Sequence, residues 1–282
     1  VPSPQPGHRA ARTTVAGLLL LSAVAYTAWV LEVVLSTGLD PVQAYISELA
    51  AEDQPLGGLF RATDLAAGLC LLAAAGTALA TGAATGTGVA AGTGRPGASR
   101  RDRWALVGWS ALALFGAATA ADSRLPLSCA PTSDEMCAAR ETAGLVPATH
   151  TAHGVTSSLA MLGALTALVA LTVAARRHGW WPPVRRFGPW LLGAELLATG
   201  WSLTAIAAFQ AGRGTWALGA GQRLQVLLVA LWLAVLALGV ARAERSAAPE
   251  TADATNPADG PAPDAADATN PADEPLPQRR PT

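Results

Sequence analysis

The sequence predicts an all-α fold: a polytopic membrane bundle of six transmembrane helices with a short amphipathic helix on its outer face. Three observations carry this. Of 282 residues, 51% are hydrophobic and only 14% charged, and the mean hydropathy is +0.33, more apolar than a soluble domain requires. Six apolar runs each reach the ~20 residues needed to cross a hydrocarbon core about 30 Å thick at about 1.5 Å per residue. Arginines crowd every second connection between those runs.

The runs are Thr14–Ser36, Phe60–Gly82, Trp104–Asp122, Thr149–Ala175, Gly188–Gln210 and Arg223–Ala243. Only helices and closed barrels satisfy every backbone group inside a bilayer, and these runs are too long and too continuously apolar for barrel strands. Arg9 and Arg12 precede the first run. Arg95, Arg100, Arg101 and Arg103 separate the second from the third, Arg176, Arg177, Arg185 and Arg186 the fourth from the fifth, and Arg242 and Arg245 follow the sixth. Positive charge stays on the cytoplasmic side, so both termini are expected there. The other connections carry Asp40, Glu48, Glu52, Asp53, Asp134, Glu135 and Glu141. Trp104, Trp180, Trp181 and Trp190 suit the inner boundary, Trp29 and Trp216 the outer one.

Residues 1–13 read as a cytoplasmic leader, 14–243 as the membrane domain and 244–282 as a tail. The first run exceeds a signal-peptide core and lacks a small-x-small cleavage site, which reads as an uncleaved anchor. The loop Thr81–Gly97 is nearly all Gly, Ala and Thr, a flexible connection. Beyond Arg245 the chain is rich in Ala, Asp, Pro and Thr and repeats ADATNPAD from Ala252 and from Ala266, a composition expected to be disordered. All 19 basic residues are arginine, as in GC-rich bacterial genomes, and the plasma membrane of a bacterial cell is the expected location. A net charge of −1 offers nothing to nucleic acid.

After the first run, Val42, Tyr45, Ile46, Leu49 and Ala50 recur at helical spacing, with Asp40 as cap and Pro41 at the first helical position. This predicts an interfacial helix with Ser47 and Glu48 on its polar side and flank. The remaining ionisable groups gather at the same end: Glu32, Arg61, Asp64, Asp122, His150, His153, Gln222 and Arg223, with Glu195 set apart in the fifth run. Such groups are costly at membrane depth unless paired or hydrated, so they mark candidate sites. Asp64, Asp122, His150 and His153 are the candidate catalytic cluster; Ser47, Glu48, Gln222 and Arg223 are candidate binding residues. His150 and His153, three apart on a helix, with Asp122 make a nitrogen and oxygen ligand set suited to zinc, against the alternative of structural ion pairs and interhelical hydrogen bonds. Cys70 reads as a core residue. Cys129 and Cys137 share one outer connection in an oxidising compartment, which favours a disulfide.

The run Tyr45 to Leu49 with Pro55, Phe60 and Gly68, then Asp122, Pro126 and Cys129, His150 and His153, and Gly221-Gln222-Arg223 leading into Leu231-Trp232-Leu233, resembles the bacterial membrane family catalogued as domain of unknown function 998. The resemblance spans about Val15 to Val240. It implies a multi-helix membrane protein and carries no activity. It also implies an acidic residue where Gln222 stands, which leaves Arg223 without an evident fixed partner.

Three function classes follow: a lipid-binding or structural membrane protein whose polar cluster holds the bundle together, a metal-dependent hydrolase using metal-activated water on a lipid or envelope substrate, and a small-molecule or proton-coupled transporter. Membrane lipids are the expected partners; the residues name no protein partner. The arginine distribution makes topology testable: reporter fusions after Gly92 and after Arg245 should register as cytoplasmic and one near Ser133 as external. A cytoplasmic Ser133 would invert the orientation.

Overall fold

A computed structural model describes residues 6–82 and 102–245; most of the loop Thr81–Gly97 and all of the repeat-bearing tail lie outside the described residues. Among the described residues, six helices are long and apolar enough to cross a membrane. In chain order the helices are α1 (Pro6–Tyr26), α2 (Gly57–Thr81), α3 (Arg103–Asp122), the short α4 (Glu135–Thr142), α5 (Ala148–His178), α6 (Pro182–Gln210) and α7 (Leu218–Arg245). Each long helix packs on the next, α1 to α2, α2 to α3, α3 to α5, α5 to α6 and α6 to α7, and α7 returns to α1. The result is a closed ring in which the α5–α6 seam is the thinnest. Trp109, Phe115 and Trp232 fill its centre, with Tyr26 edge-on to Phe115 at 5.4 Å and Trp109 edge-on to Trp181 at 6.4 Å.

Lipid tails are as apolar as leucine, so helices in a bilayer associate through close packing rather than a hydrophobic driving force. The α2–α3 contact shows how this sequence does so. A Cβ on Gly68 would stand 2.7 Å from the Gly116 carbonyl oxygen, and one on Gly116 would stand 2.7 Å from the Gly68 carbonyl oxygen. The two backbones touch, and only glycine permits it. Leu21, Val24, Leu197 and Trp190 project outward from the ring, the surface that lipid covers.

Several expectations change. The helix α1 starts at Pro6, so much of the expected leader is helical, and it ends at Tyr26 instead of Ser36. The Thr27 hydroxyl bonds back to the carbonyls of Ala23 and Val24, tightening the chain into a 3-10 helix over Ala28–Val33. Trp181, the residue that opens α6 at the arginine end, is turned inward: it is 5% exposed and packs on Trp109. The helix α4 was not anticipated, although Asp134 caps it by accepting from Met136 N, with Glu135 in its first turn and Arg140 in its last.

The end of the bundle that carries connections 34–56, 123–147 and 211–217 is the cap end; the other is the arginine end. At the arginine end Asp102 faces His178 at 3.3 Å, and the Arg177 guanidinium lies 5.3 Å from the centre of the Trp104 ring. Gly116→Ala should lower the melting temperature in detergent by several degrees, corresponding to roughly 1–3 kcal/mol of overpacking. Gly76→Ala, where a Cβ meets nothing within 4 Å, should leave it unchanged.

Candidate functional site

The segment Asp40 to Ala50 does not form one helix. The Asp40 carboxylate accepts the Val42 N–H at 2.8 Å, the chain turns, and a 3-10 helix covers Ile46–Ala50. The departure from helical spacing has a cause in α7. Gln222 Oε1 accepts the Ile46 N–H at 2.9 Å, Arg223 Nη1 donates to the Ala44 carbonyl at 2.9 Å, and Ala220 N donates to the Val42 carbonyl. Backbone groups that a continuous helix would use internally are taken by the start of α7. Gly219 admits the approach, because a Cβ there would lie 2.4 Å from the Ala44 oxygen.

Arg223 has a fixed partner after all. Its Nε and Nη2 donate to the two oxygens of Glu32 at 2.5 and 2.7 Å, with both side chains more than nine-tenths buried. Gln222, in place of the acid implied there, serves the cap backbone instead.

Glu48 also departs from expectation: it is fully buried. Its Oε1 accepts Thr132 N at 2.8 Å and its Oε2 meets the Thr132 hydroxyl at 2.5 Å. Thr132 lies inside the loop closed by the disulfide Cys129–Cys137, whose Cα atoms are 6.0 Å apart. Arg61 donates to the carbonyls of Ala50 and Ala51, Glu52 N donates to the Leu127 carbonyl, and the Thr215 hydroxyl bonds Gln43. Tyr45 sits edge-on to Phe209. Ser47 is half-buried between these groups. The cap is therefore tied to α2, α6 and α7 and to the two other connections at the same end.

Beneath the cap, Asp122 at the end of α3 meets α5. Thr156 donates to Asp122 Oδ1, Ser157 donates to Oδ2 at 2.9 Å, and His153 Nδ1 lies 3.1 Å from Oδ1 and 3.0 Å from the Leu125 carbonyl. Both partners of Nδ1 are acceptors, so that nitrogen carries the proton. His150 takes the opposite tautomer. Its Nδ1 accepts the Ser128 N–H at 3.2 Å, and its Nε2 faces Glu141 at 3.9 Å. Each imidazole thus has its own partners, and among the described residues no three His, Cys, Asp or Glu side chains are placed to hold one metal ion.

Ser157 Oγ is also 3.4 Å from His153 Nε2, so a hydroxyl, an imidazole and a carboxylate stand together. With the His153 proton on Nδ1, Nε2 and the Asp122 carboxylate both accept, and the carboxylate, 2.9 Å from Ser157 Oγ, competes with the more distant imidazole for the hydroxyl hydrogen that nucleophile activation needs. Asp64 completes the cluster from the inward stripe of α2 that includes Phe60, Ala67 and Leu71. It stands within electrostatic reach of Asp122 and His153 and accepts no hydrogen bond among the described residues.

Thr156, Ser157 and Thr132 were not singled out from the sequence. Ser157 follows His153 by one helical turn, a legible spacing; Thr132 has no such signature, because its partner is 84 positions away.

Burial pushes the Glu48 carboxyl up from 4.5 to about 7; the bonds from Thr132 oppose this, and the charges of Asp53 and Glu141 add to it. Burial, then the charges of Glu141 and Glu48, also push the Tyr45 phenol up. Between pH 4.5 and about 7 the folded chain holds a proton on Glu48 that the unfolded chain has released, so stability falls as pH rises through that window, by about 3 kcal/mol in all. Melting temperature in detergent should drop between about pH 5 and pH 7.5 for the native chain, and Glu48→Gln should flatten that slope. An unchanged slope in the variant would assign the pH dependence to another group.

Comparison with curated proteins and with solved structures returns no match. Residues 15–95 and 79–239 match a family described as Protein of unknown function (DUF998). The matched segments cover the membrane helices, the cap and the cluster beneath it, and the chain belongs to this DUF998 family.

Proposed function

We propose that the protein is a lipid-binding membrane protein in which the cap-end polar cluster is structural and an anionic phospholipid is held at the arginine end. The observation that carries this reading is a groove of about 540 Å³ between α6 and α7, with a wholly apolar lining. Phe187, Trp190 and Ala194 line one wall, Leu231, Val235 and Leu238 the other. Trp190 is 80% exposed, so an indole faces a partner from outside the chain.

The groove ends in positive charge. The Arg186 guanidinium lies 5.4 Å from the centre of the Phe187 ring. On α7, Arg242 follows Leu231, Val235 and Leu238 at spacings of four, three and four, which keeps it on the groove-lining face. Both arginines are exposed. An acyl chain fits the walls and a phosphate fits the mouth, where each arginine near an anionic surface contributes about 1 kcal/mol. By the positive-inside rule this is the cytoplasmic leaflet. The polar groups at the other end support the reading differently: Arg223, Glu32, Glu48, Asp122 and His153 are hydrogen-bonded to one another or to backbone.

Replacing Arg186 and Arg242 together by alanine should weaken retention of an anionic phospholipid about 30-fold relative to a zwitterionic one, the equivalent of about 2 kcal/mol. Native mass spectrometry of the lipid-titrated protein measures this. Equal retention of both lipids by native and variant chains would remove the reading.

A further inference from the structure

Glu195 stands near the middle of α6, on the inward stripe with Gly188, Ala198 and Ser202. It is 0% exposed, and neither carboxylate oxygen has a hydrogen-bond partner. Gln225 of α7 is near enough to offer it a hydrogen bond, but the Gln225 amide nitrogen already has the Thr199 hydroxyl at 2.7 Å and the Met161 sulfur at 3.2 Å. An ionised carboxylate with no donor at membrane depth costs several kcal/mol, whereas a neutral acid costs far less. The ligand that fits this group without any further space is a proton.

Tyr26, at the cap end of α1, is within electrostatic reach of Asp64, Asp122 and Glu195. It is the titratable group from α1 that faces Glu195; α7 faces it with uncharged Gln225, and α5 reaches Gln225 through Met161. Asp64 is the member of the cap-end cluster whose carboxyl accepts no hydrogen bond among the described residues, and it lies beside Asp122 with His153 already committed.

We infer that Glu195 is a proton-binding centre inside the bundle. The step balances simply. A hydronium ion gives its proton to the Glu195 carboxylate and leaves as water, one O–H bond breaking on the hydronium as one forms on the carboxyl. No electron changes hands. This site is independent of the lipid groove and stands or falls separately.

Infrared spectroscopy of the protein in nanodiscs tests it, in a Glu48→Gln background that removes the cap carboxyl from the signal. At neutral pH a protonated carboxyl band should be present, should vanish in Glu195→Gln, should shift in Glu195→Asp, and should persist in Asp64→Asn. A spectrum with no such band, or a band indifferent to both Glu195 substitutions, would overturn the site.

Discussion

The buried pair of Arg223 and Glu32 is the constraint on which the cap end depends. Removing two charges from water is expensive, and their attraction repays it only when geometry is good and the remaining donors are used. Here Arg223 spends its Nε and Nη2 on Glu32 and its Nη1 on the carbonyls of Ala44 and Gly219. One side chain joins the 3-10 continuation of α1, the cap and α7. Loss of either partner would leave a bare charge in an apolar setting, a cost of about 3–5 kcal/mol. The break in α1 at Thr27 belongs to the same arrangement, since it is the 3-10 segment that carries Glu32.

The second level of organisation is saturation. The carboxylate of Asp122 receives Thr156 and His153 on one oxygen and Ser157 on the other; Glu48 uses both oxygens on Thr132. A fully satisfied network rigidifies the elements it joins, and these networks join α3 to α5 and the cap to the disulfide loop. Glu195 and Asp64 stand apart for the opposite reason. They are acids without donors in a structure that elsewhere supplies donors with care, and function is more readily attached to such groups than to the saturated ones.

Membrane spans were legible because bilayer thickness imposes a length and a composition that no tertiary context overrides. Their ends were less so. Thr14 to Ser36 is apolar throughout, and what stops α1 at Tyr26 is the backbonding of Thr27 together with a partner 191 positions away. The clustering of Asp64, Asp122 and His153 was visible once the spans were drawn, because all three fall near the same helix ends. The fate of Glu48 was not. Helical spacing put it on the polar flank, whereas the real partners of that segment, Gln222, Arg223 and Thr132, lie in other connections and turn the chain before a helix can form. Local pattern carries no record of such distant hydrogen bonds.

The ring order carries a consequence for synthesis. Each helix from α2 to α6 packs on a predecessor already made, so assembly proceeds locally as the chain elongates. The last helix differs, because α7 must also find α1 and supply Arg223 to Glu32 across 191 residues of chain. Until translation has passed Arg223, every nascent or truncated chain presents a lone carboxylate at the open edge of an unfinished ring. That edge distinguishes an incomplete molecule from a complete one by charge, a signature on which a membrane quality-control protease can act.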